Sequence, residues 1–263
     1  MRNVFKQFGL SLVTLPVMAT VFAAVIIVGT PATAAAAPAQ ITRITHHTAP
    51  QIRLSQHGRN STSSNWSGYA TTGTTYTDVQ ASWTQPTGNC SDGQTAYSSF
   101  WIGLDGDGTN SVEQTGSEVD CSGGSPIYYA WYEMYPAYPV NYANTVRPGD
   151  SFSAEVKYIG SNKFQLSITD HTQNWSHSVT KALRRAGRGS AEWIAEAPSS
   201  GSGVLPLANF GTVNFSNCTA NSKSISSNPN PDAITMASGS TTKAVPSGLG
   251  SGGESFSVTW KHH

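Results

Sequence analysis

Helical periodicity is missing from this chain. The best helix-like candidate is Thr180–Gly189 (TKALRRAGRG), and Gly187 and Gly189 cut it short. Charge is scarce too: only 11% of the 263 residues are charged, while Ser, Thr, Gly and aromatics abound. That balance fits an all-β secreted protein better than a helical cytosolic one. Cysteine is limited to Cys90, Cys121 and Cys218, at spacings that match no zinc site. There is no Gly-x-Ser-x-Gly elbow, no Asp-Thr/Ser-Gly of the pepsin kind and no His-Glu-x-x-His. Only His171 and His177 lie well inside the domain, flanking a turn, which leaves little for a Ser/His/Asp triad. Asp105–Asn110 (DGDGTN) hints at calcium but lacks the spaced ligands and closing Glu of an EF-hand loop. The glycine-rich Ser247–Ser255 opens no helix after a strand, so a phosphate-loop reading fails. The expectation is an activity with no metal and no cofactor.

Long apolar runs are confined to the N-terminus. Arg2 and Lys6 precede an uncharged stretch from Phe8 to about Gly29, followed by TPATAAAAPAQ. This is the order of a secretory signal peptide, here residues 1–37, with small residues for cleavage near Ala34–Ala37. The run is long enough to span a bilayer, so an uncleaved anchor is the alternative; Pro16 and the alanine-rich exit favour cleavage. Residues 38–62 are polar and aperiodic and read as a short pro-segment or lead-in, leaving 63–263 as one domain. Five of the 15 basic residues (Arg2, Lys6, Arg43, Arg53, Arg59) and none of the 15 acidic ones precede Ser63, so residues 63–263 carry 10 basic against 15 acidic, a net charge of −5. That argues against a nucleic-acid partner and suits work at low pH. The expected product is extracellular, free of the membrane after cleavage, and monomeric. Export to an oxidising compartment points to a disulfide. Cys90 and Cys121 sit in polar turns flanking the strands that hold WIGLDG and VEQTG, which makes them the expected pair and Cys218 the odd one.

What the chain does hold is alternation. Phe152, Ala154, Val156 and Tyr158 fall on one face, as do Phe164, Leu166 and Ile168, then Val79, Ala81 and Trp83, and finally Phe256, Val258 and Trp260. Period two over short runs split by Gly, Asn and Ser turns means half-buried antiparallel strands, and SNKF after KYIG reads as a hairpin turn. The expected fold is a single-domain, all-β, antiparallel two-sheet β-sandwich of the concanavalin-like kind.

Four segments gather chemistry. Ser111–Asp120 (SVEQTGSEVD) surrounds Gln114 with Glu113, Glu118 and Asp120. In SSFWIGLDG, Phe100, Ile102 and Leu104 form a core stripe while Trp101, Gly103 and Asp105 face the other way. In Tyr128–Pro139, Tyr129, Trp131, Glu133 and Tyr135 share one side; Tyr128, Ala130, Tyr132 and Met134 share the other. Such a band suits a ligand cleft, or a plain aromatic core. In Ser190–Pro198, Glu192 shares its face with Ile194, so it is desolvated and its pKa raised, as general acid–base chemistry requires. Glu196 reads as an ordinary surface glutamate.

Taken in order, NWSGYA (65–70), FWIGLDG (100–106), VEQTGSE (112–118), YAWYEMYP (129–136), AEWIAEAP (191–198) and ANFGTVNF (208–215) resemble the glutamic peptidases, the eqolisin family, here as a bacterial-type secreted member. The resemblance implies a sandwich of two antiparallel sheets and a catalytic pair, Gln114 and Glu192. It implies Asn65, Trp66, Trp101, Asp105, Glu118, Tyr132, Glu133 and Phe210 as cleft or supporting residues. The implied activity is acid endopeptidase action on protein or peptide substrates. The chain departs from the family at Met134 (a Trp in fungal members), at Asn209 (an Asp) and at Glu118 (an Asp). The alternative function is a carbohydrate-binding module or glycosidase on a lectin-like sandwich, with Glu192 and Glu133 as its carboxylate pair. Gln114 discriminates, because only the peptidase needs a dyad amide.

Overall fold

A computed structural model describes residues 60–263. The expectations for residues 1–37 and 38–59 lie outside the described residues. The alternating segments all become strands. They are β1 (Asn60–Ser63), β2 (Trp66–Thr72), β3 (Asp78–Thr84), β4 (Ala96–Leu104), β5 (Val112–Ser122), β6 (Ser125–Tyr135), β7 (Val140–Asn141), β8 (Ser151–Gly160) and β9 (Lys163–Asp170). Then follow β10 (Trp175–Ala182), β11 (Ser190–Glu196), β12 (Ser199–Ser200), β13 (Gly203–Val204), β14 (Thr212–Ala220), β15 (Lys223–Ser224), β16 (Asp232–Ser238), β17 (Thr241–Pro246) and β18 (Phe256–Trp260). Ile225–Ser227 forms a 3₁₀ turn, and there is no α-helix among the described residues. None of their helices is long and apolar enough to cross a membrane.

Hydrogen bonds link the strands in the order β10-β9-β8-β3-β14-β18-β17-β16-β2-β11-β4-β5-β6-β7, with β15 beside β14 and β12 paired only with β13. β1 runs parallel to β16, so Asn60–Thr62 join the ladder ahead of the boundary drawn at Ser63. The path doubles over. Trp193 of β11 donates its indole N–H to the Gln80 carbonyl of β3 at 2.8 Å, and Trp83 of β3 donates to Ser117 Oγ of β5 at 2.8 Å. These strands are far apart along the ladder, so their inner faces meet as two layers. Between them lies the main core: Val79, Phe152, Val156, Phe164 and Leu166 from one layer, and Phe100, Ile102, Leu104 and Trp193 from the other.

Three local expectations were decided by geometry. Ser161 and Asn162 have φ of 53° and 56°, the left-handed pair of a tight hairpin turn between β8 and β9. Cys90 and Cys121 form the disulfide, and Cys218 is a buried free thiol. Thr180–Gly189 is not helical. Thr180, Lys181 and Ala182 pair with Gln165, Phe164 and Lys163, and Arg185 and Arg188 turn the chain at φ of 67° and 51°.

Candidate active site

The layer β16-β2-β11-β4-β5-β6 has a second face, opposite the main core. Period two sends the other set of residues there, and ladder register sorts them into rows. One row reads Asp232, Ala70, Glu192, Gly103, Gln114, Glu133 across neighbouring strands. The next reads Ile234, Gly68, Ile194, Trp101, Gly116, Trp131. A third reads Trp66, Glu196, Ser99, Glu118, Tyr129. Gln114 and Glu192 therefore stand on either side of Gly103. Their strands are two ladder steps apart, about 10 Å between Cα atoms. Gly103 places no side chain of its own between the two polar groups. A Cβ there would meet the Trp101 ring at 3.1 Å and Gln114 Cβ at 3.2 Å.

Gln114 is held by its neighbour in the row. Its Nε2 donates to Glu133 Oε2 at 2.6 Å, while its Oε1 accepts no hydrogen bond. Glu192 Oε1 accepts a long bond, 3.4 Å, from the Asp107 backbone N–H, and its Oε2 has no partner. Both residues are fully buried. Burial pushes the Glu192 carboxyl well above the usual range; the Ser190 hydroxyl opposes that, and the charges of Asp107 and Asp105 add to it. Burial likewise pushes Glu133 up to about 8, against the opposing hydrogen bond from Gln114.

Glu196, read from the sequence as a surface residue, is a buried hub. Its Oε2 accepts the Trp101 indole N–H at 2.8 Å and its Oε1 accepts Asn65 Nδ2 at 3.0 Å. Trp66 meets Trp101 edge to face with ring centroids 5.0 Å apart. Burial, then the Glu133 charge, raise the Glu196 pKa well above the usual value. The signal was present: Glu196 shares the face of Ile194 by the same alternation that singled out Glu192. At the far end of the face, Tyr129 donates to Asp120 Oδ2 at 2.8 Å. Burial and the adjacent Asp120 hold Glu118 well above its usual pKa, and burial takes Asp120 up to about 6.

Asp105 immediately follows β4 with φ 68° and accepts the backbone N–H groups of Arg188 at 2.7 Å and Gly189 at 2.9 Å. It ties down the loop that leads into Glu192. Beside it, burial and the Asp105 charge push Glu113 up to about 9. Tyr132 and Phe210 stand elsewhere: both join the main core, Phe210 edge to face with Phe100 at 5.2 Å. Glu192 and Glu133, paired in the carbohydrate alternative, sit at two ends of a stretch with Gly103 and Gln114 between them. Among the described residues, no group of three or more His, Cys, Asp or Glu side chains is placed to hold a metal ion.

The arrangement offers a carboxyl of raised pKa and a positioned amide on one cross-strand row, either side of a glycine. Known proteins match the chain. The chain is 32% identical over 199 residues to aspergillopepsin-2 of Aspergillus niger, covering 66% of this chain and 70% of that protein. It is 30% identical over 173 residues to scytalidopepsin B of Scytalidium lignicola, covering 60% and 64%. Both are fungal and lend no support to the bacterial-type qualifier. The fold matches scytalido-glutamic peptidase, solved with a transition state analog inhibitor, at a TM-score of 0.65 and 24% identity over 75% of this chain and 98% of that one. Aspergilloglutamic peptidase from Aspergillus niger matches at 0.57 and 26%, over 63% and 99%. The peptidase A4 family model spans residues 64–260. The chain belongs to the peptidase A4 family and is a glutamic endopeptidase.

Proposed function

We propose that this protein is a secreted acid endopeptidase whose dyad is Gln114 and Glu192. The observation that carries the reading is their placement on one cross-strand row, either side of Gly103. Ionised Glu192 takes a proton from a water, which attacks the scissile carbonyl, and returns it to the leaving amine. Burial raises the Glu192 pKa and favours its neutral form, so the ionised base forms as this face opens and water returns to the carboxyl. The Gln114 amide has two N–H groups; one is spent on Glu133, and the other is available to the developing oxyanion. Its free Oε1 accepts from the attacking water. Glu133, neutral below a pKa of about 8, orients the amide without placing a negative charge beside the oxyanion. Both dyad side chains are buried, so turnover requires this face to open to peptide and water. The extracellular setting rests on the signal-like residues 1–37, and the segment that follows is read as a pro-segment.

The test is cleavage of a denatured protein by the secreted enzyme across about pH 2 to 7. Glu192→Gln, if folded, should lose roughly 10²–10⁴-fold of the rate. Failure of the folded wild type to cleave at any pH sinks the reading. Activity surviving in Glu192→Gln moves the base to another carboxyl.

A further inference from the structure

The dyad leaves one built feature unused. The described domain is acidic, yet three of its four arginines, Arg184, Arg185 and Arg188, fall within five positions on the β10–β11 loop. The loop is pinned at both ends. Leu183 N–H donates to the Asn162 carbonyl at 2.9 Å, and the Arg188 carbonyl accepts Tyr76 N–H at 2.8 Å. Asp105 takes two further N–H groups from it. Arg188 is committed: its guanidinium stacks 4.0 Å from the Tyr158 ring. Arg184 and Arg185 are not. Both are exposed, and among the described residues neither makes an ion pair. Instead they wall a pocket of about 430 Å³ together with Thr109, Asn110, Ser111 and Pro136. No acidic side chain lines it.

Its position matters as much as its charge. Ser111 immediately precedes β5, three residues before Gln114, and Pro136 immediately follows β6, three residues after Glu133. At about 3.4 Å per residue the pocket wall lies roughly 10 Å from the dyad row. An extended peptide crosses that distance in about three residues. The rest of the face carries Glu118, Asp120, Glu133, Glu192 and Glu196, which disfavours an anionic substrate wherever these groups are ionised.

We propose that the Arg184–Arg185 pocket is a carboxylate-binding subsite, which takes an anionic group of the substrate two to four residues from the scissile bond. This rests on the peptidase reading above. The group is either an Asp or Glu side chain or the peptide's own C-terminal carboxylate. The guanidinium pair supplies charge-assisted donors, and Asn110 and Ser111 border the same space.

The test compares peptides that differ only by Glu or Gln at each of these positions, with free or amidated C-termini. kcat/KM is measured at pH 5 and at pH 2.5. The expected result at pH 5 is an advantage of about 3- to 5-fold for the carboxylate, carried by KM, the size of a solvent-accessible ion pair. It shrinks towards one at pH 2.5, where the substrate carboxyl is protonated. An advantage that follows the Glu side chain identifies that source; one that follows the free terminus identifies the other. Arg184→Ala/Arg185→Ala removes the advantage, and Arg184→Lys/Arg185→Lys keeps part of it. Equal kcat/KM for Glu and Gln peptides and for free and amidated termini at pH 5 overturns the proposal, as does an advantage that survives in the double alanine variant. If folded wild type cleaves none of the peptides, including the Gln ones, the peptidase reading fails and takes the subsite with it.

Discussion

In the proposed mechanism Gln114 does two jobs with one side chain, and its bond to Glu133 decides which way round it does them. The 2.6 Å bond from Gln114 Nε2 to Glu133 holds the amide in one orientation, and Oε1 accepts no hydrogen bond. Gln114→Ala should lower kcat by roughly 10²–10³-fold, the usual cost of an oxyanion donor, with the fold retained on circular dichroism. Glu133→Gln keeps an acceptor for Gln114 and should remain active in acid, whereas Glu133→Leu should not. The pH dependence has a definite sign. Glu133, raised by burial to about 8, is neutral at acid pH and acquires its charge only as pH rises through that value. Rates measured on folded protein should therefore decline towards pH 8 in the wild type, and this limb should be weakened in Glu133→Gln. Trp101→Phe removes the indole N–H from buried Glu196 Oε2, and chemical denaturation should show a loss of about 1–3 kcal/mol.

At the scale of elements, the site is a product of register. β4 lies between β11 and β5, and its glycine at position 103 falls level with Glu192 on one side and Gln114 on the other. Slipping either ladder by one residue would send one of the pair into the core. Glycines of this layer also let side chains lie flat. At Gly116 a Cβ would stand 2.3 Å from the Phe100 carbonyl oxygen, and at Gly103 it would press on Trp101 and Gln114 at 3.1 and 3.2 Å. Gly116→Ala must displace backbone and should be the worse of the two in thermal melts. Gly103→Ala should cost about 1–3 kcal/mol and should reduce activity more than its stability loss explains, because it shifts Gln114 directly.

Across the whole molecule, buried carboxyls set the pH range of the fold. Burial raises Glu113 to about 9, Glu133 to about 8 and Asp120 to about 6, and places Glu118, Glu192 and Glu196 well above 4.5. Above about pH 4.5 an unfolded chain releases these protons while the folded one keeps them, so the native state binds more protons and stability falls as pH rises. It is fully present below the unfolded values and is lost progressively as pH climbs through the raised ones. Tm should therefore be highest in acid and decrease steadily from about pH 4.5 to 9; a maximum near pH 8 would contradict this. The Cys90–Cys121 bridge spans a sequence separation of 31 residues, and replacing both cysteines by alanine should cost about 3–4 kcal/mol.

Alternation along each segment was enough to assign an all-β chain and to divide β4, β6 and β11 into two faces, because strand side chains alternate whatever the partner strand is. It placed Trp101 and Gly103, Tyr129 with Trp131 and Glu133, and Glu192 with Ile194 correctly on shared sides. The order of motifs was enough to indicate the family. The neighbours across the sheet were not legible. That Gly103 separates Gln114 from Glu192, and that Glu133 adjoins Gln114, follows from ladders joining residues as much as 89 positions apart. Glu196 misled the sequence reading because burial is a property of what packs above a residue, not of the residue. The same holds for the Thr180–Gly189 loop. Locally it offered alanine, leucine and arginine to a helix, but β9 captured its first residues in a ladder and Asp105 captured its last. The sequence determined which side chains share a strand face; long-range pairing alone decided which of those faces meet, and so where the carboxyls lose their water.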